Sequence, residues 1–201
     1  MLTDSSIQMA KAAMRSQVRA ELKKMTPKER NAASAEIRRR LESQEVWRNA
    51  KTILFYAPLP EEVDVWPLLV DALVSGRTVL LPRFAGEDHG YVICRVEDVE
   101  RDVRSGKFGV REPLEICARN SLNHLDLILA PGIAFDLNGH RLGRGKGYYD
   151  RLLAMLNGPK CGVAFDQQIV SQIPVEPHDI RLNCILTPTR WRPDLGDPRK
   201  V

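Results

Sequence analysis

The chain reads as an α/β protein built largely on parallel strands, preceded by two N-terminal helices. Three observations predict this. Strand-like and helix-like patterns alternate from residue 51 onward. The segments "LDLILAPG", "KCGVAF" and "CILTP" are continuous apolar runs, as expected of parallel strands covered on both faces. The length of 201 residues suits one core, so residues 1–201 are expected to form a single domain.

In chain order, residues 7–25 have helical character. On a helical wheel Met14, Val18, Leu22 and Met25 form one stripe, and Lys11, Arg15, Arg19 and Lys23 form a second beside it. A solvated basic face is the plainer reading for Arg19 and Lys23, whereas Lys11 and Arg15 stay open between that and a site. "TPKE" then supplies Thr26 as N-cap, Pro27 at the first helical position and Glu29 as capping-box partner. The helix it opens carries Ala33, Ile37 and Leu41 inward, and Arg38, Arg39 and Arg40 fan out around it as a solvated cluster. Next come a strand at "TILFYAP", a helix at "VWPLLVDALVSG" ending on Gly76, and strands at "TVLLPRF" and "YVICRV". "VEDVERDV" is a short helical piece and "SGKFGVREP" reads as irregular. After "LDLILAPG", a helix begins near Tyr148, and the tail "RWRPDLGDPRKV" is expected to cover the surface, with Trp191 packing down.

Composition narrows the function. No apolar run approaches the roughly 18 residues that a membrane span needs, and the opening residues lack the apolar centre of a signal peptide, so a cytoplasmic protein is expected. The four cysteines show no zinc-type spacing and read as reduced thiols, Cys94, Cys161 and Cys184 in strand-like segments. A formal charge of +4 admits an anionic ligand without naming it.

The chemistry concentrates in "NGHRLGRGKGYYDRLL", residues 138–153, where Gly143, Gly145 and Gly147 alternate with Arg144 and Lys146. The loop lies between a buried strand and a helix, where open α/β sheets place ligands. Glycine lets backbone N–H groups approach an anion, the helix adds its positive end, and the two cations can follow charge on a phosphoryl group. Neither the P-loop pattern nor G-x-G-x-x-G fits. Asp150, on the first helical turn, either answers the helix dipole or offers oxygen to Mg²⁺. Asp179 in "VEPHDIRLN" is a second carboxylate near a strand edge, and His178 beside it is as well explained by the surface as by function.

These pieces resemble the 5-formyltetrahydrofolate cyclo-ligase family, also called 5,10-methenyltetrahydrofolate synthetases. The resemblance spans roughly residues 11–187 and rests on "LDLILAPGIAFDLNGHRLGRGKGYYDRLL", with support from "KAAMR", "ILFYAPLPEEVDVWPLL", "TVLLPRF", "GKFGVREP" and "IPVEPHDI". It implies a three-layer α/β/α fold with a mostly parallel central sheet, and an ATP- and Mg²⁺-dependent enzyme acting on 5-formyltetrahydrofolate as a monomer, without nucleic-acid or membrane partners. It further implies ATP contacts from Lys11, Arg15, Arg141, Leu142, Gly143, Arg144, Gly145, Lys146, Gly147, Tyr148 and Tyr149, with Arg144 and Lys146 catalytic. By the same resemblance Tyr56, Glu62 and the stretch Gly145 to Tyr148 meet the folate, and Asp150 and Asp179 hold the metal. The chain departs from the family pattern at Asn183 and Cys184, where an aspartate is common, and in the individual segment "FAGEDHGYVICRV". A basic nucleic-acid-binding module and a non-catalytic nucleotide-binding relative are the alternatives. The first predicts steeply salt-dependent, magnesium-independent binding, and Asp150 and Asp179 would repel a phosphate backbone unless a metal lay between.

Overall fold

A computed structural model describes residues 4–106, 109–117 and 124–193. Part of "SGKFGVREP" and the tail beyond residue 193 therefore lie outside the described residues. Helix α1 (Asp4–Lys24) buries Val18 and Leu22, with Met14 and Met25 packed at the edge of the same seam. Helix α2 (Pro27–Glu42) opens on the expected capping box: the Glu29 N–H donates to Thr26 Oγ1 at 3.2 Å, and the Thr26 N–H donates to Glu29 Oε2 at 2.7 Å. A one-turn helix, α3 (Glu45–Arg48), adds a third helix ahead of the first strand, where two were expected. Four residues are too few to show a period, but Trp47 in it is buried.

The strands are β1 (Thr52–Leu54), β2 (Thr78–Phe84), β3 (Tyr91–Val96), β6 (Leu127–Ala130), β9 (Lys160–Val163), β11 (Cys184–Leu186) and β12 (Trp191–Arg192), in the sheet order β12-β11-β9-β6-β1-β2-β3. The pairings from β11 to β2 are parallel, and antiparallel β12 and β3 close the two edges. Alternation along each strand feeds two cores. Ile53, Phe55, Leu127 and Leu129 face α1, α2, α3 and α4 (Trp66–Val74). Leu54, Ile128 and Ala130 face Leu152, Leu153 and Leu156 at the far end of α6 (Tyr148–Met155). This gives the three layers.

Smaller elements surround the sheet. "SGKFGVREP" contributes to a hairpin of β4 (Val103–Ser105) and β5 (Arg111–Pro113), following the short helix α5 (Val99–Asp102). Between "LDLILAPG" and the helix at Tyr148 lies a hairpin of β7 (Ala134–Asp136) and β8 (Arg141–Leu142), with β10 (Ile169–Val170) parallel to β7. Cys94, Cys161 and Cys184 are buried free thiols and Cys117 is half-buried. Asn183 acts structurally, its Oδ1 accepting the Lys160 N–H at 2.9 Å at the start of β9.

The chain leaves β1 toward β2 on one side and returns to β6 on the other. The carboxyl ends of β1 and β6 thus meet at a topological switch point, where open sheets leave a crevice.

Candidate active site

That crevice is a cleft of about 430 Å³. Tyr56 and Ala57 after β1, and Pro131 and Gly132 after β6, line its base. Every residue assigned to the site by resemblance lines it: Lys11, Arg15, Tyr56, Glu62, the run Arg141 to Tyr149, Asp150 and Asp179.

The glycine loop is held from below by a buried carboxylate. Asp136 at the end of β7 is fully buried and accepts the N–H groups of Asn138 (2.9 Å), His140 (3.1 Å) and Ile173 (2.9 Å), with His140 Nδ1 at 2.9 Å. It thus ties the hairpin that delivers Arg141 to the segment that leads to Asp179. Gly145 and Gly147 take positive φ values of 106° and 64°, which residues with a Cβ rarely adopt, and Gly147 is the N-cap of α6. Asp150 stands in the first turn of α6, where its charge suits the helix dipole, and its Oδ1 accepts Arg141 Nη2 at 2.5 Å.

The two early cations of open status separate from the rest of their stripe. Lys11 is buried and bonds Glu176 (2.7 Å) and Asp179 (2.6 Å), while Arg15 Nε donates to the Gly143 carbonyl at 2.8 Å. Arg19 and Lys23 remain exposed. Burial alone would lower the Lys11 pKa, but the bonds from Asp179 and Glu176 outweigh it and hold the ammonium above its usual value. The same bond from Lys11 draws the Glu176 pKa down.

Across the cleft, Arg144 Nη2 donates to Glu62 at 2.9 Å and Glu61 at 3.0 Å. Burial works against the guanidinium, yet these two carboxylates carry its pKa upward. Glu62 also accepts the Leu59 N–H at 3.0 Å, so the segment leading into α4 is fixed to the loop by one side chain. The Tyr56 hydroxyl donates to the Val63 carbonyl at 2.9 Å, and burial pushes its pKa well up, so it stays a neutral wall. Phe84, Tyr91 and Tyr148 pack edge to face with centroids 5.2–6.2 Å apart, and Tyr149 joins Tyr91 at 5.9 Å. Burial raises the Tyr149 pKa, and its hydroxyl and Arg141 Nε are buried polar atoms without a partner among the described residues.

Three ligand atoms, from Glu176, His178 and Asp179, lie within 4.8 Å of one another. Their carboxylate oxygens are the donors that hard divalent cations take. Sequence reasoning missed Glu61, Asp136 and Glu176, and it did not assign Tyr91 or Arg111 to the site. Glu176 was legible only as a carboxylate three residues before Asp179, and Asp136 only as a turn former.

A model of the 5-formyltetrahydrofolate cyclo-ligase family matches residues 7–188. The chain belongs to that family. A 5-formyltetrahydrofolate cyclo-ligase of Mus musculus is 28% identical over 192 residues, covering 90% of this chain and 95% of its own. The Mycolicibacterium smegmatis relative of the same name is 33% identical, covering 71% and 76%. Among solved structures, a 5,10-methenyltetrahydrofolate synthetase of Aquifex aeolicus is 34% identical and superposes with a TM-score of 0.83 over 95% of each chain. A Mycoplasma pneumoniae synthetase, 23% identical, shares the fold with a TM-score of 0.68 over 89% of this chain and 98% of its own. As a member of this family the chain is an enzyme.

Proposed function

We propose that the protein converts 5-formyltetrahydrofolate to 5,10-methenyltetrahydrofolate with ATP and Mg²⁺, releasing ADP and phosphate. The observation that carries this reading is the cleft at the switch point of a family member. There a glycine loop bearing Arg144 and Lys146 shares one cleft with Tyr56, Glu62 and Tyr91.

A formyl amide is unreactive because nitrogen donates into the carbonyl and its oxygen leaves poorly. In the proposed reaction the formyl oxygen attacks the γ-phosphorus, the bond to ADP breaks, and an iminium phosphate forms. N10 of the same folate then attacks the formyl carbon, loses its proton to solvent, and expels phosphate. Both reacting groups belong to one molecule, which favours closure. No protein nucleophile is needed.

The protein's own side chains position and neutralise. Arg15 holds the Gly143 carbonyl of the loop, Arg141 and Lys11 hold Asp150 and Asp179, and Arg144 and Lys146 answer charge on the transferred phosphoryl group. Glu62 accepts from the pterin N–H groups when Arg144 turns toward phosphate. The Tyr149 hydroxyl and Arg141 Nε, unpartnered among the described residues, suit a polar ligand. Asp150 and Asp179 would hold Mg²⁺, which when bound supplies neutralisation of the ATP phosphates. Each carboxylate is positioned through one oxygen, Asp150 Oδ1 by Arg141 and Asp179 Oδ2 by Lys11.

We further infer that residues 1–201 work as a single domain and as a cytoplasmic monomer on small molecules, without nucleic-acid or membrane partners. Among the described residues no helix is long and apolar enough to cross a membrane. The phosphorylated intermediate has an isotopic test. With ¹⁸O in the formyl group, the label is expected in the released inorganic phosphate; label appearing only in water would contradict it.

A further inference from the structure

The cations of the cleft differ in what they already hold. Lys11, Arg15, Arg141 and Arg144 each bond a carboxylate or a carbonyl. Arg111, at the start of β5, also lines the cleft, yet no acceptor among the described residues bonds its guanidinium. Its Cζ lies 3.5 Å over the centre of the Trp66 ring. Stacking uses the face of the guanidinium and leaves its edge of N–H donors available. The Asp64 carboxylate acts on Arg111 through its charge but hydrogen-bonds elsewhere: Oδ1 accepts the Trp66 N–H at 3.0 Å, and Oδ2 lies 3.7 Å from Arg38. Glu112, next on the strand, accepts the Phe84 N–H, and burial pushes its pKa up.

Arg111 is exposed, and its Trp66 support is four residues along the chain from Glu62. Strand β5 packs against β2 and β3, so Arg111 borders the side of the cleft that carries Tyr91, at its exposed edge. On the proposed reading the two substrates carry anionic charge in two places, the phosphates of ATP and the glutamate carboxylates of the folate. The glycine loop suits the first. A rigidly stacked guanidinium with a vacant edge suits a planar carboxylate, which it can bind through two parallel hydrogen bonds.

We propose that Arg111, held flat by Trp66, binds the glutamate carboxylates of the folate at the cleft mouth and is a specificity-determining residue for the substrate tail. The proposal rests on the reading of the cleft as a folate site. The test compares kcat/KM for 5-formyltetrahydrofolate with that for 5-formyltetrahydropteroate, which has the same ring and aminobenzoyl group but no glutamate. The comparison is made in the wild-type chain, Arg111→Gln and Arg111→Lys.

The wild-type chain is expected to prefer the glutamate-bearing substrate. That preference should shrink by about tenfold or more in Arg111→Gln, through KM for the folate, and by less in Arg111→Lys, which keeps charge but loses the fork. Equal losses on both substrates, a rise confined to KM for ATP, or a wild-type chain indifferent to the tail would each overturn the assignment while leaving the cyclo-ligase reading in place. Turnover of neither substrate by the wild-type chain would overturn both.

Discussion

Replacing Arg144 or Lys146 with alanine is expected to lower kcat by on the order of 10²-fold or more, with little change in melting temperature. Both side chains stand on an exposed loop outside the two cores, so the fold does not depend on them. The Arg144 pairs with Glu61 and Glu62 involve a side chain 43% exposed, and such pairs contribute little to stability. Their loss should instead be felt when negative charge shifts across the γ-phosphoryl group, because a cation fixed at that point cannot be replaced promptly by water. Steady-state kinetics at saturating ATP and folate, beside a thermal melt of each variant, separates the two effects. Near-normal kcat in both variants would remove the loop from the chemistry.

Gly158→Ala is expected to have the largest effect on folding, a loss of about 3 kcal/mol or more. Gly158 lies between α6 and β9 with φ of 124°, a conformation that strains residues bearing a Cβ. A Cβ there would fall 1.9 Å from the Leu125 carbonyl oxygen, and that carbonyl belongs to backbone anchored by the Leu125 N–H bond to Asn157 at 2.9 Å. Neither partner can turn aside as a flexible side chain would. Urea unfolding should show a much lower midpoint, or the variant should fail to accumulate in soluble form. A midpoint within about 0.5 kcal/mol of wild type, the range of ordinary surface changes, would refute this account of the β6–β9 junction.

These two positions also mark what a sequence discloses. The alternation of Gly143, Gly145 and Gly147 with Arg144 and Lys146 is a local chemical pattern, and its placement after a buried strand could be read directly. Thr26 and Glu29 likewise announce a helix start through contacts three residues apart. Gly158 gives no such sign, since its constraint comes from Leu125, 33 residues earlier and known only once strands are paired. The hairpins β4–β5 and β7–β8 escaped for a related reason. Strands of two or three residues carry no period, and they are fixed by their partners and by the Asp136 carboxylate. In the cleft, Lys11 and Arg15 were distinguishable from Arg19 and Lys23 by resemblance but not by wheel position. What separates them is Glu176, Asp179 and the Gly143 carbonyl, all more than 120 residues away.

The most direct test of the central claim is the near-ultraviolet absorbance of methenyltetrahydrofolate, followed after mixing purified protein with 5-formyltetrahydrofolate, with ATP and Mg²⁺ each present or withheld. The account predicts that absorbance grows only when folate, ATP and Mg²⁺ are all present. Growth without ATP, or none in the complete mixture, would contradict it.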